Sequence, residues 1–66
     1  MKNIIKTELI ENFIKENDLS KSKFCNMCKI SQSTLNKIMT NSENFKIIAL
    51  FKIASVLKIQ VFEMFN

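Results

Sequence analysis

The chain of 66 residues contains no glycine, proline, histidine, tryptophan or tyrosine, and all ten of its basic residues are lysine. Without glycine, every turn that requires a left-handed backbone must use a residue that carries a Cβ atom. Without histidine, and with a single aspartate, the sequence offers no acid–base or nucleophile set, so we expect no enzymatic activity. Two cysteines are too few for a structural zinc ion, which takes four ligands, and we expect neither a metal nor a cofactor.

Long apolar runs are also missing. No stretch approaches the roughly 20 residues that span a bilayer, so we expect no membrane segment. The N-terminal residues include Glu8 and Glu11, unlike a signal peptide, which predicts a cytoplasmic location. A chain of this length is expected to form one domain (residues 1–66) of modest stability, because it buries only about 60% of its unfolded surface.

Apolar residues recur at helical spacing along most of the chain, and none alternate with polar residues as they would in a strand. The pattern predicts five helices, which cover residues 4–16, 21–28, 32–39 and 45–58 and a short segment after Gln60. Asn17 and Asp18 are expected to end the first helix, since both tolerate a left-handed backbone. We predict an all-α bundle of five short helices around a core of Leu9, Phe13, Phe24, Cys25, Ile30, Leu35, Ile38, Leu50, Ala54, Leu57 and Phe65.

The net charge of +4 lies in one stretch, from Leu19 to Ser42. This stretch holds four lysines and no acid, whereas the other six lysines are balanced by all six acidic residues. A lysine cluster is often only a solvated face. Here, an acid-free segment that also shows a binding motif indicates a surface for nucleic acid.

Two short helical patterns fit inside this stretch, joined by residues 28–31. Ser20 and Ser31 each stand where an N-cap is needed, because a serine hydroxyl accepts a hydrogen bond from a free N–H of the first turn. In the second helix, Leu35 and Ile38 share the inner face. The outer face then carries amide, hydroxyl and ammonium groups, from Gln32, Ser33, Asn36 and Lys37. Such a helix, held by another across a tight turn, fits the major groove of DNA.

The stretch resembles the helix-turn-helix of the Cro/repressor-like (Xre) family of bacterial and phage transcription regulators, whose pattern reads roughly L-S-Q-x-x-L-A-x-x-L-G-V-S-x-x-T-I-S-x-I-E-x-G. The chain matches this pattern at Leu19, Ser20, Phe24, Cys25, Ile30, Ser31, Thr34, Leu35 and Ile38. It departs at Lys21, Lys29, Met39 and Asn41, where the family has Gln, Gly, Glu and Gly. The segment LFKIASVLKIQVFEMF resembles the family's C-terminal pattern L-L-K-I-A-K-A-L-G-V-S-L-D-E-L-L. The resemblance implies a five-helix fold and places Lys29 and Lys58 at turns where the family has a left-handed glycine.

For the DNA interface, the resemblance places base contacts at the outer residues of the second helix, which are Gln32, Ser33, Asn36 and Lys37. Glutamine can bond adenine through two hydrogen bonds, lysine can donate to guanine, and serine is permissive. Phosphate contacts are expected from Lys21, Thr34, Asn41, Asn44 and Lys46. Lys21 lies in the first turn of a helix, where the helix dipole adds partial positive charge. The alternative for Gln32 and Ser33 is ordinary helix-start composition.

Cys25 and Cys28 form a C-x-x-C motif. No second cysteine pair or histidine completes a zinc site, and no β–α junction supports a thioredoxin-like dithiol. In the family register both positions belong to the core, where free cysteine behaves as a small hydrophobe. We interpret the pair as core residues, with a metal shared across a dimer or a redox switch as the alternatives.

Surplus apolar residues near the C-terminus indicate a second chain. Ile48 and Phe62 take positions that are usually acidic in the family, and Phe45 stands at a loop–helix junction. Scattered exposed apolar residues are normal on soluble proteins. Two charged-to-apolar replacements in one region nevertheless predict a homodimer interface formed by Phe45, Ile48 and Phe62.

The sequence therefore favours a DNA-binding regulator, which binds a two-fold operator on double-stranded DNA as a homodimer and represses transcription by occupancy. It would associate with the nucleoid when bound, and nothing indicates a small-molecule ligand. The alternative is a protein-binding module on the same fold, such as an antirepressor, an antitoxin or a phage-encoded inhibitor of a host protein. Only the regulator requires DNA binding with a steep dependence on salt.

Overall fold

A computed structural model of the chain describes residues 4–40 and 45–66. Four α-helices, α1 (Thr7–Glu16), α2 (Lys21–Cys28), α3 (Gln32–Met39) and α4 (Ile47–Leu57), are followed by a 3₁₀ helix, η1 (Val61–Met64). The predicted all-α bundle is confirmed, with one difference: the fifth helix is a single 3₁₀ turn. A four-residue segment is too short for a ladder of i→i+4 bonds, and it closes with i→i+3 bonds instead. No helix in the described ranges is long and apolar enough to cross a membrane.

The two ends of the chain are paired with each other. The first helix begins at Thr7 rather than at residue 4, because residues 4–6 run antiparallel to the C-terminus through a bridge between Ile5 and Phe65. The Lys6 N–H donates to the Met64 carbonyl at 2.8 Å, and the Asn66 N–H donates to the Ile4 carbonyl at 2.9 Å. Ile5 is consequently buried, with 1% of its surface exposed. The helical spacing gave no sign of this bridge, since it depends on backbone groups that meet only in the fold.

The serine caps of α2 and α3 are formed as predicted. The Ser20 hydroxyl accepts from the Lys23 N–H at 3.0 Å, and the Ser31 hydroxyl accepts from the Thr34 N–H at 3.1 Å. Both serines have an extended backbone, as N-cap residues do. These local bonds fix where the two helices begin, and both have the predicted bounds. By contrast, α4 begins at Ile47 instead of residue 45, because Lys46 is extended.

Three helices end in left-handed turns made without glycine. The left-handed residues are Asp18 (φ 52°), Lys29 (φ 58°) and Lys58 (φ 60°), which include both lysines at glycine positions of the family pattern. In each turn the next residue's N–H reaches back to a carbonyl five residues earlier, at 3.0 Å, as in a Schellman motif. The bonds run from Leu19, Ile30 and Ile59 to Ile14, Cys25 and Ala54. Those three donor residues are apolar and pack against the core, which ties each turn to the bundle.

The core draws on every helix. Its buried side chains are Ile5, Ile10, Phe24, Cys25, Cys28, Leu35, Ile38, Ala49, Leu50, Ile53, Ala54 and Met64. Five predicted core residues are instead half-buried at its edge, namely Leu9, Phe13, Ile30, Leu57 and Phe65. In α1 the inward direction passes through Ile10 and not Leu9, because Ile5 enters the core from the terminal bridge. The rings of Phe13 and Phe24, 5.8 Å apart and tilted by 58°, join α1 to α2.

Both cysteines are free thiols inside this core. Burial raises the pKa of Cys28 to about 11, and the nearby Cys25 adds to the rise. Burial also raises the pKa of Cys25, although the Lys21 ammonium opposes that rise. In the described residues no three histidine, cysteine, aspartate or glutamate side chains are grouped for a metal ion. The thiols therefore stay protonated and serve as packing groups.

We predict that Lys58→Gly raises the melting temperature by a few degrees. A residue with a Cβ atom costs about 1–2 kcal/mol in the left-handed region, and the greater chain entropy of unfolded glycine offsets only part of that gain. Thermal unfolding followed by circular dichroism measures the shift. The control is Lys58→Ala, which removes the charge but keeps the Cβ atom and should give no such rise. If the two variants melt together, the left-handed strain at this turn is negligible.

A second prediction concerns the thiols. Because the folded state raises both pKa values above the ordinary thiol value of 9.0, folded protein holds thiol protons that unfolded protein releases between about pH 9 and pH 11. The thiols therefore make the free energy of unfolding fall as pH rises through that window. In the double variant Cys25→Ala/Cys28→Val, the free energy of unfolding measured by urea titration should fall less steeply with pH. Its lysines are unchanged, so the difference between the two proteins reports the thiols. If the free energy of unfolding depends on pH equally in both proteins, the thiols are in contact with solvent in the folded state.

Candidate nucleic-acid interface

The turn between α2 and α3 sets the geometry of the interface. Lys29 takes the left-handed conformation (φ 58°, ψ 45°), and Ile30 follows it into the edge of the core. Ser31 then caps α3. The Lys52 ammonium, on α4, donates to the Lys29 carbonyl at 3.3 Å. The turn is therefore held from both sides, by its own backbone bonds and by a side chain from another helix.

The outer face of α3 carries the four predicted base-contact residues. Leu35 and Ile38 are buried on the inner side. On the other side, four exposed residues span an arc of about 140° at 100° per residue, namely Gln32, Ser33, Asn36 and Lys37. The structure describes no hydrogen bond made by any of these four side chains. Among the described residues, their donors and acceptors have no partner and can bind a group outside the molecule.

Thr34 is placed differently from its neighbours on α3. It is half-buried, and its hydroxyl lies 2.9 Å from the Ser31 hydroxyl. Its main contribution is therefore to the cap of α3. Thr34 also lines the groove between α3 and α4.

The groove between α3 and α4 is lined by lysine. It has a volume of about 370 Å³, and its lining includes two hydroxyls, from Ser31 and Thr34, and four ammonium groups, from Lys29, Lys37, Lys46 and Lys52. No described acidic residue lines it. Opposed ammonium groups around a concave surface concentrate positive potential and attract an anion such as phosphate.

Of these four lysines, Lys52 was not predicted, because the acid-free segment ends at Ser42. A wider count would have found the signal. Between Asp18 and Glu63 the sequence contains seven lysines and a single acid, Glu43. The basic surface therefore extends from α2 through α4, and α4 contributes to it as well as to the core.

The two lysines predicted to bind phosphate lie in unlike surroundings. Lys46 precedes α4, is exposed, and belongs to the lysine-lined groove. Lys21, exposed in the first turn of α2, instead shares a depression of about 340 Å³ with one lysine, Lys15, and two acids, Glu11 and Asp18. The depression around Lys21 holds two lysines and two acids, whereas no described acid lines the groove around Lys46, so Lys46 has the more favourable setting for phosphate. Asn41 and Asn44, the other two predicted contacts, lie outside the described residues.

The predicted dimer residues differ in exposure. Phe62, on η1, is 71% exposed and Ile48, on α4, is 54% exposed, whereas Phe45 is half-buried and packs against the core. Two further residues of the exposed α4 face, Ile47 and Phe51, are about half exposed. The α4 helix therefore exposes more apolar side chains than the sequence pattern predicted.

Comparison with known proteins agrees with this arrangement. A family model described as helix-turn-helix matches residues 10–64, which include most of α1 and all later elements. No curated protein and no solved structure matches the chain. Members of the matched family bind DNA and are normally not enzymes. The chain belongs to the Cro/repressor-like (Xre) helix-turn-helix family of DNA-binding transcription regulators.

Proposed function

We propose that the protein reads a specific two-fold operator as a homodimer and represses transcription by occupying it. The observation that carries the proposal is the outer face of α3, where four adjacent polar side chains are exposed and make no described hydrogen bond within the chain. In the major groove, each base pair presents its own pattern of donors and acceptors. A row of free amide, hydroxyl and ammonium groups suits that pattern.

Each of the four outer residues of α3 has a distinct proposed part in recognising bases. Gln32 and Asn36, one turn apart, offer amides that can donate to N7 or accept from N6 of adenine. Lys37 can donate to the O6 and N7 atoms of guanine, and Ser33 accommodates either base. Because the helix N-terminus enters the groove first in this class of motif, Gln32 is the residue that we propose to be most important for specificity.

Phosphate contacts orient α3 without reading sequence. We propose that Lys46, together with the amides of Asn41 and Asn44, holds one backbone strand, while Lys21 at the start of α2 holds the other. Thr34 adds a hydroxyl beside Lys46. Support comes from the lysine-lined groove between α3 and α4, to which both Thr34 and Lys46 belong.

The homodimer would form through the exposed part of the C-terminal region, where Phe62 and Ile48 supply exposed side chains and Phe45 a half-buried one. A two-fold dimer places its recognition helices about 34 Å apart, one turn of DNA, so that both enter the same face of the duplex. Linking two half-sites raises operator affinity through effective concentration. Repression by occupancy needs only such binding, and the helix-turn-helix domain can supply it alone.

The second candidate function is a protein-binding module on the same fold, acting as an antirepressor, an antitoxin or an inhibitor. The half-exposed apolar residues of α4 are the observation that favours it. The two functions differ in their response to salt. A regulator that neutralises several phosphates must lose DNA affinity steeply as the salt concentration rises. A protein-binding module does not require DNA binding with such a salt dependence.

Base recognition and phosphate binding can be separated by two substitutions. Gln32→Ala should cost about 1–3 kcal/mol on the operator and relax preference at one base pair per half-site, with little change in non-specific binding. Lys21→Ala should weaken binding to all sequences alike and lower the salt slope by about one unit for each phosphate that the lysine neutralises. Sites selected from random duplexes, followed by fluorescence anisotropy at several salt concentrations, provide both measurements. An unchanged ratio of operator to random-DNA affinity in Gln32→Ala would remove α3 from its proposed role.

The dimer is tested by Phe62→Glu, which we expect to give a folded monomer with weakened operator binding. A carboxylate buried in an apolar contact loses its hydration without a partner, so the contact dissociates. Sedimentation equilibrium with and without operator measures the state of association. Met27→Glu is the matched control, because Met27 is also exposed but lies on α2, and this variant should remain dimeric. A wild-type protein that is monomeric on its operator at tens of micromolar contradicts the proposal.

A further inference from the structure

A second depression lies on the other side of Lys52, and of its described lining residues it shares Lys29 and Lys52 with the lysine-lined groove. It lies between the C-terminal end of α2 and α4 and has a volume of about 360 Å³. Met27 and Phe51 form its walls, 44% and 51% exposed, and Cys28 and Val56 lie deeper, respectively buried and half-buried. None of the four outer residues of α3 lines it. We call this surface the α2–α4 depression.

Lysines border this apolar surface. Lys29 and Lys52 line the depression, and the Lys52 ammonium is held at its edge by the hydrogen bond to the Lys29 carbonyl. An ammonium group carries three donors, so Lys52 keeps two for a ligand. No acidic residue occurs in α2 or α4, and none of the described residues that line the depression is acidic. The surface is thus apolar at its centre and positive at its edge.

The positive charge at the edge of the α2–α4 depression determines which kind of partner can cover it. A second copy related by a two-fold axis would bring the same lysine-bordered surface against this one, without an acid from α2 or α4 to compensate. Like charges facing each other across an interface disfavour association. A small ligand is also a poor fit, since ligand sites enclose most of their ligand and the walls here are half exposed. A protein segment of opposite charge can cover the depression from above.

We propose that the α2–α4 depression is a docking site for an acidic segment of a different protein. One apolar side chain of that segment lies between Met27 and Phe51, and flanking carboxylates pair with Lys29 and Lys52. The apolar anchor supplies most of the affinity because it is desolvated at the centre, and the charge pairs at the edge favour an acidic partner over a basic one. This docking does not depend on the proposed operator, and it is measured without DNA.

Peptides selected from a random 16-residue library on the wild-type protein test the proposal without presuming a partner. We expect the enriched peptides to share acidic residues on either side of a leucine, isoleucine or phenylalanine. Chemical shifts of backbone amides on addition of a selected peptide should change at residues 27–29 and 51–56. Enrichment without acidic bias, no enrichment, or shifts centred on α3 or η1 would each overturn the proposal.

Matched variants identify the contacts. Phe51→Ser and Met27→Ser should each weaken peptide binding about tenfold or more, and Lys52→Gln should weaken the acidic peptides. Lys23→Gln, which changes an exposed residue outside the depression, should bind as wild type does. Circular dichroism verifies that each variant is folded. Two outcomes contradict the proposal: duplex DNA that shifts Met27, Phe51, Ser55 and Val56 as the peptide does, or a wild-type dimer that Phe51→Ser dissociates.

Discussion

The left-handed turn at Lys29 is the constraint on which the rest of the structure depends. It sets the angle between α2 and α3, and this angle determines which side chains of α3 face the core and which face outward. A lysine in this conformation costs about 1–2 kcal/mol that a glycine would not. The turn persists because three contacts hold it: the Ile30 N–H on the Cys25 carbonyl, the packing of Ile30 on the core, and the Lys52 ammonium on the Lys29 carbonyl. The same side chain that stabilises the turn therefore also adds charge to the groove beside it.

Charge is separated across the molecule in a way that links stability to binding. Most of the acids lie on α1 and near the C-terminus, and the lysines of α2, α3 and α4 have few carboxylates to pair with. Their mutual repulsion destabilises the folded state, whose core is small for lack of chain length. An anionic partner that binds this surface in preference to the unfolded chain would relieve that repulsion and stabilise the domain. Binding and folding are thus coupled through the same lysines.

The sequence predicts this fold best where the determinants are local. The bounds of α2 and α3 agree with the pattern because serine caps and Schellman turns involve residues close in sequence. The predicted start of α1 at residue 4 was wrong, because the pairing of residues 4–6 with the C-terminus has no side-chain signature. The exposure of Gln32, Ser33, Asn36 and Lys37 follows from helical periodicity alone. The place of Lys52 in the groove does not, since it requires α4 to pack beside the turn.

The terminal bridge also explains how η1 can present an exposed phenylalanine. A four-residue 3₁₀ helix has little stability of its own. Here Met64 is buried, the Gln60 N–H donates to the Glu63 carboxylate at 2.8 Å, and the backbone of residues 64–66 pairs with residues 4–6. Phe62 is therefore exposed on an element that is fixed at both ends. Because the backbone that carries Phe62 is already ordered, a partner that buries the ring does not have to order that backbone, and more of the apolar area is available as binding free energy. Through this bridge, the N-terminal residues that lie before the helix-turn-helix support the surface proposed to join two copies.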